Sequence, residues 1–301
     1  MTVIAQFRNN FRFDSLDDYN CSIPPIEWST RGVPRPVFGS ICILLCLVGI
    51  VPYFACLPAL WSMRKHACYK IMFALAVADI GTLLGLGLGG VVFIVGGMYC
   101  HAPKLSYFIG LLTCGNFFAS CNSCFMIAVN RFVELFEIRT MLRFYKGNRA
   151  WLLMIIPLLY GFIPMTCSPI ATANSEAHLF LIDPLIFSDD RYEYTSYFLL
   201  GNNFTMPTLS SVMYLTMICV MYARRNALSI QCGIIVIVHM STMLGYAFLQ
   251  LIHTSEALQY VAHVSWLLMH ALPPFVYLTF NSAIRKHVLT IVSPSMVQPT
   301  S

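Results

Sequence analysis

Seven apolar stretches, each long enough to cross a lipid bilayer, divide this 301-residue chain. They run over roughly 36–60, 70–97, 104–134, 150–172, 197–222, 229–252 and 259–281, and a crossing needs about 20 mainly apolar residues. In lipid every backbone N–H and C=O must find its partner within the protein, which a helix provides. The expected architecture is all-α: a seven-transmembrane helix bundle over 36–281. Composition argues against a water-soluble alternative. Only 10% of residues are charged and 58% are hydrophobic, against about 25% charged in soluble domains.

Lysine and arginine set the expected orientation, because cytoplasmic loops carry their excess. Twelve fall on one side: Arg64, Lys65, Lys70, Arg131, Arg139, Arg143, Lys146, Arg149, Arg224, Arg225, Arg285 and Lys286. Six fall on the other: Arg8, Arg12, Arg31, Arg35, Lys104 and Arg191. The first side is read as cytoplasmic. Seven crossings then make 1–35 an extracellular tail and 293–301 a cytoplasmic one, in a multi-pass plasma-membrane protein. The net charge of +5 is thus a topology signal, and lipid rather than nucleic acid is the expected partner. Residues 282–292 place Ile284, Val288 and Leu289 on one helical face, the pattern of a short amphipathic helix lying along the membrane. Most of the 12 cysteines lie within apolar stretches, where Cys behaves as a small hydrophobe. Asn20-Cys21-Ser22 and Asn203-Phe204-Thr205 fit the N-glycosylation sequon, making Asn20 and Asn203 candidate acceptors.

Asp79 is the sharpest chemical signal. It lies nine residues beyond Lys70, or about 14 Å at ~1.5 Å per helical residue, near mid-membrane. A carboxylate there costs several kcal/mol unless it is hydrated, paired or protonated. Two readings stand: a protonated acid bonded to a neighbouring helix, or an ion- or proton-sensitive polar site. His263, Trp266 and His270 share one helical face and read as a polar stripe facing a cavity. Two histidines alone make a poor metal site, and no metal or cofactor is expected. Pro273 and Pro274 remove two helix donors and predict a kink or local unwinding. Gly81, Gly85, Gly87, Gly89, Gly90, Gly96 and Gly97 crowd the second stretch and favour close helix packing. No HExxH, GxSxG or Walker sequence occurs, so no enzymatic activity is expected.

Four of these motifs in register resemble the rhodopsin-like G-protein-coupled receptors. Leu75-Ala-Val-Ala-Asp79 is similar to that family's Leu-x-x-x-Asp, and Asn130-Arg131-Phe132 to its Asp-Arg-Tyr. Pro274-Phe275-Val276-Tyr277 is similar to its Asn-Pro-x-x-Tyr, and Ser120 stands where the family often has a serine of its sodium pocket. A closer resemblance is to the nematode chemoreceptors called serpentine receptor class T. It is carried by Tyr19-Asn-Cys-Ser22, Cys68-Tyr-Lys-Ile-Met72, Gly97-Met-Tyr-Cys100 and Asn130-Arg131, over about 19–286.

The resemblance implies a chemosensory receptor, in a plasma membrane and in some cells a sensory cilium. A small molecule would bind in the outer half of the bundle, with Cys114, Asn116, Tyr246, Gln250, His263 and Trp266 as pocket candidates by depth and polarity. Asp79, Ser120 and His270 would form a polar core. Arg131, Asn130, Tyr277, Pro274, Arg224 and Arg225 would switch and couple to a heterotrimeric G protein. There are departures. Asn130 replaces the acid before Arg131, a role Glu134 or Glu137 could take. Pro273 replaces the Asn of Asn-Pro, and no Asn stands beside Gly49, which weakens the sodium site. Loop 174–196 has no Cys for the family's usual bridge; Cys100 could instead pair with Cys21, both on the oxidising side. Two rival readings remain: a proton- or ion-coupled transporter or channel using Asp79, His263 and His270, and an orphan receptor without its own ligand.

Overall fold

The computed structural model describes residues 12, 19–22, 30–147, 149–187, 194–224, 227–251 and 255–292; at 218–219, 221–224, 227–231, 249–251 and 291–292 only the backbone is described. Helix α1 (Pro36–Ser62) and helix α3 (Pro103–Leu135) each begin on a proline, whose missing N–H is one that a first turn leaves unpaired anyway. Between them runs α2 (Ala67–Val95), closed by Gly96 in the left-handed region at φ 72°. After the single turn α4 (Arg139–Leu142), the fourth crossing is built from α5 (Arg149–Leu153), α6 (Ile155–Phe162) and a 3-10 turn at Pro164–Thr166. It ends sooner than the apolar stretch to 172 implies. Pro164 opens the tighter turn, and the chain then enters strand β1 (Thr172–Asn174).

β1 pairs antiparallel with β2 (Leu179–Leu181), in register Thr172 with Leu181. This hairpin in the long loop carries no strong alternation in sequence. It lies across one end of the bundle. Then follow α7 (Tyr197–Arg224), α8 (Ala227–Leu251), α9 (Glu256–Ala271), α10 (Pro273–Phe280) and α11 (Ser282–Val292). α9 and α10 form the seventh crossing, bent by 44° at the double proline. The amphipathic segment is α11: Ile284 is fully buried, whereas Leu289 is exposed.

α3 is the central helix, buried along most of its length, whereas α1 exposes Val37, Leu44, Val51 and Phe54 outward. So much exposed apolar surface fits a lipid solvent and not water. Small residues let the helices close up. A Cβ on Gly39 of α1 would lie 2.4 Å from the Gly90 carbonyl oxygen of α2, and one on Gly161 would lie 2.3 Å from that of Gly115. A disulfide joins Cys21 to Cys100, with 5.5 Å between the Cα atoms, and ties the N-terminal segment to the hairpin end.

Candidate functional site

Under the hairpin lies a cavity of about 460 Å³, within the roughly 300–1,000 Å³ range of small-molecule sites. Cys114 and Phe117 of α3, Phe180 of β2, Asn203 of α7, Thr242, Met243 and Tyr246 of α8, and Gln259 and Trp266 of α9 line it. Of the six pocket candidates, Cys114, Tyr246 and Trp266 are on this wall. Asn116 is not: it is turned onto Gly81 of α2, and its amide donates to the Leu112 carbonyl one turn back at 2.8 Å. His263 is not either. It is fully buried behind Phe180, among the rings of Phe38 and Phe93. Gln250 has its side chain outside the described residues.

Asn203 has a different place from the one its sequon suggests. It is 1% exposed and on the cavity wall, where a glycan has no room, so it is no acceptor in this fold. Asn20 is half-buried beside the disulfide, its Oδ1 accepting the Ser22 N–H at 2.9 Å. The cavity residues not singled out from sequence, chiefly Asn203 as a wall residue, Phe117, Phe180 and Gln259, come from four separate elements. Only the fold brings them together.

Below the cavity lies the polar core. Asp79 Oδ1 is 2.6 Å from the Ser120 hydroxyl and 2.7 Å from His270 Nδ1, and its Oδ2 is 2.6 Å from the Tyr53 hydroxyl. The Trp266 indole N–H donates to His270 Nε2 at 3.2 Å. His270 therefore keeps its proton on Nδ1 and presents it to Asp79. His239, fully enclosed, has Nδ1 at 3.0 Å from the Ile235 carbonyl and Nε2 at 3.2 Å from Ser120. Asp79, His239 and His270 bring ligand-type atoms within 4.8 Å of one another, a spacing that can hold a metal ion. As arranged, His270 offers a proton there and no lone pair.

Tyr53 is the member of this group that the sequence did not single out. Its hydroxyl also lies 3.0 Å from the His270 carbonyl. That carbonyl is one of the two orphaned by the double proline, because Pro274 has no N–H to return to it. Two proton placements fit the distances. With Asp79 ionised, the Tyr53 hydrogen turns to the acid and leaves the carbonyl short. With a proton on Asp79 Oδ2, the acid donates to Tyr53 and Tyr53 donates to the carbonyl, so the acid, Tyr53 and the carbonyl are all matched.

At the opposite end of the bundle, Arg131 is buried and its guanidinium reaches Asn130 Oδ1 at 2.7 Å and Glu134 at 2.6 Å. Asn130 in turn donates to Glu134 at 3.1 Å. Glu134, one turn along, supplies the acid missing before Arg131. Glu137 lies past the end of α3 with φ 51°. Tyr277 and Pro274 are buried on α10, Tyr277 within electrostatic reach of Asp79 and Tyr53. Arg224 has only its backbone described, and Arg225 lies outside the described residues.

A helix bundle with a cavity at one end and a buried arginine–carboxylate pair at the other fits a seven-transmembrane receptor. Residues 3–301 match the family model described as serpentine type 7TM GPCR chemoreceptor Srt. The chain belongs to that family, which is a receptor family and not an enzyme class. No curated protein matches it.

Proposed function

We propose that this chemoreceptor binds a small molecule in the cavity beneath the hairpin and responds by opening the Arg131 end to a heterotrimeric G protein. In this reading the hairpin faces outward, the Arg131 end faces the cytoplasm, and the membrane is the plasma membrane. The observation that carries it is Trp266. Its ring forms cavity wall against Phe117 and Tyr246, with centroids 5.4 Å and 5.3 Å away. Its N–H is bonded to His270, which is bonded to Asp79 beside the proline break. A ligand that shifts the indole therefore pulls on the kink. Ligand and G protein each favour one arrangement of α9 and α10, so each shifts the population of the other's site.

The transporter reading is the weaker one. His263, which would carry a proton outward from His270, has no hydrogen-bond partner for either ring nitrogen among the described residues. The test is calcium imaging of cells expressing the chain against a panel of small molecules, with surface labelling of each variant. Arg131→Ala is expected to be silent at normal surface level, and Trp266→Phe to bind but signal weakly. Normal signalling by Arg131→Ala overturns the proposal.

A further inference from the structure

We infer that the cavity takes a neutral, largely apolar molecule bearing a hydrogen-bond-accepting oxygen, such as a carbonyl, received by the Asn203 amide N–H and the Tyr246 hydroxyl. The inference rests on the reading of the cavity as the ligand site and names the chemistry that the site selects. Both residues line the cavity. Asn203 Nδ2 and the Tyr246 hydroxyl are buried and have no partner among the described residues. Buried polar groups are almost always matched, because an unmatched one pays its desolvation without return.

The direction of the Asn203 group follows from its neighbours. The Tyr160 hydroxyl donates to Asn202 Oδ1 at 2.9 Å, and Asn202 Nδ2 donates to Asn203 Oδ1 at 3.1 Å. The relay ends in the Asn203 N–H, a donor polarised by the two bonds behind it. Turned around, the same chain leaves the Tyr160 proton without its acceptor. The free end of the relay and the tyrosine hydroxyl thus both ask for an acceptor.

Charge sets the rest of the class. Among the described residues no Lys, Arg or His lines the cavity, so none of them offers an anion a counter-charge there. The one carboxylate among the described lining residues, Asp183, spends Oδ1 on the Leu185 N–H of its own turn at 2.8 Å. Phe117, Phe180, Met243 and Trp266 supply apolar wall. A ligand that buries apolar surface against those rings and offers one oxygen satisfies both halves of the site.

The experiment uses the full chain in lipid nanodiscs and four probes of one shape: benzophenone, diphenylmethane, protonated benzhydrylamine and diphenylacetate. Binding is read as thermal stabilisation. Benzophenone is expected to stabilise most, and irradiation to attach it to peptides of the cavity wall. Tyr246→Phe should weaken benzophenone about fivefold to tenfold while leaving the unliganded midpoint unchanged or raised. That combination separates a lost contact from a damaged fold. Equal stabilisation by diphenylmethane, an unchanged benzophenone affinity in Tyr246→Phe, or preference for the ammonium or the carboxylate overturns the oxygen chemistry and leaves the ligand site standing. Failure of all four probes, or photolabelling elsewhere, overturns both.

Discussion

The polar groups around Asp79 and those around Arg131 are made of similar parts and end up in different states. At Asp79 the acid, Ser120, Tyr53, His270 and Trp266 have partners, and even the carbonyl freed by Pro274 has the Tyr53 hydroxyl beside it. At the Arg131 end, Arg131 Nε and the Tyr214 hydroxyl are buried with no partner among the described residues, and so is the Tyr277 hydroxyl, which lies between the two sites within electrostatic reach of Asp79 and Cys232. Tyr214 lies within electrostatic reach of Arg131, and both tyrosines lie near Cys232. Buried polar groups without partners are costly. The core is therefore complete in this arrangement, and the Arg131 end is not. Compared with the core, the Arg131 end has more to gain from an arrangement that admits water or a partner protein.

The largest test of this contrast is at Asp79. Asp79→Leu strips partners from Ser120, Tyr53 and His270 at once and is expected to cost about 3 kcal/mol or more. Thermal unfolding of the purified receptor should show it directly. Asp79→Asn keeps the shape of the protonated acid. Its Oδ1 still accepts from Ser120 and His270, and its amide can donate to Tyr53, which then donates to the His270 carbonyl. Most of the stability should survive. A loss as large as that in Asp79→Leu would mean that the resident form is the ionised one.

A smaller and sharper test removes one hydroxyl at a time. Tyr53→Phe deletes a hydroxyl with two close acceptors and is expected to cost ~1–2 kcal/mol, within the range of hydrogen bonds between membrane helices. Tyr277→Phe deletes one that has no partner in this arrangement. It should be neutral or stabilising, yet should reduce signalling if the hydroxyl finds a partner in the coupled state. The two variants are chemically identical changes with opposite expected signs. Equal destabilisation by both would erase the distinction between matched and unmatched hydroxyls.

Much of this layout was legible in the sequence because lipid is an unforgiving solvent. Seven apolar stretches, an acid in the second and a double proline in the last already fix the bundle, its costly residue and its bend. Ser120 could be tied to Asp79 through the family likeness, and His270 stood on the polar face of the last stretch. Tyr53 could not, because a tyrosine in an apolar helix reads as one more large side chain until the carbonyl that needs it is in view. The pocket was legible only in part for a similar reason. Cys114, Tyr246 and Trp266 face the cavity, but Asn116 is turned onto α2 and His263 is screened by Phe180, and depth is what a linear pattern reports. Asn203 reads as a glycan acceptor because a sequon shows local order and not burial. The hairpin escaped notice because three-residue strands leave too short a pattern to recognise.

The smallest expected effect is at the hairpin's edge, where polar contacts are made in reach of water. Glu256 receives both His178 Nε2 at 2.6 Å and the Arg35 guanidinium at 3.0 Å, and so clips the hairpin to the start of α9 and to the segment before α1. His178 also lies 4.7 Å from Tyr260, ring on ring, and its Nδ1 is 2.8 Å from the Ser175 carbonyl. The Glu256 side chain is 59% exposed, so water and salt weaken its attraction to Arg35. Glu256→Gln is therefore expected to leave the unfolding midpoint nearly unchanged. What should move is the lid: a bound ligand should leave a few-fold faster, and the difference should shrink as salt is raised. Ligand dissociation measured at low and high ionic strength reads this out. If Glu256→Gln instead lowered stability as much as Asp79→Leu, the clip would be part of the folded core, and burial would not be what separates the strong polar contacts of this receptor from the weak ones.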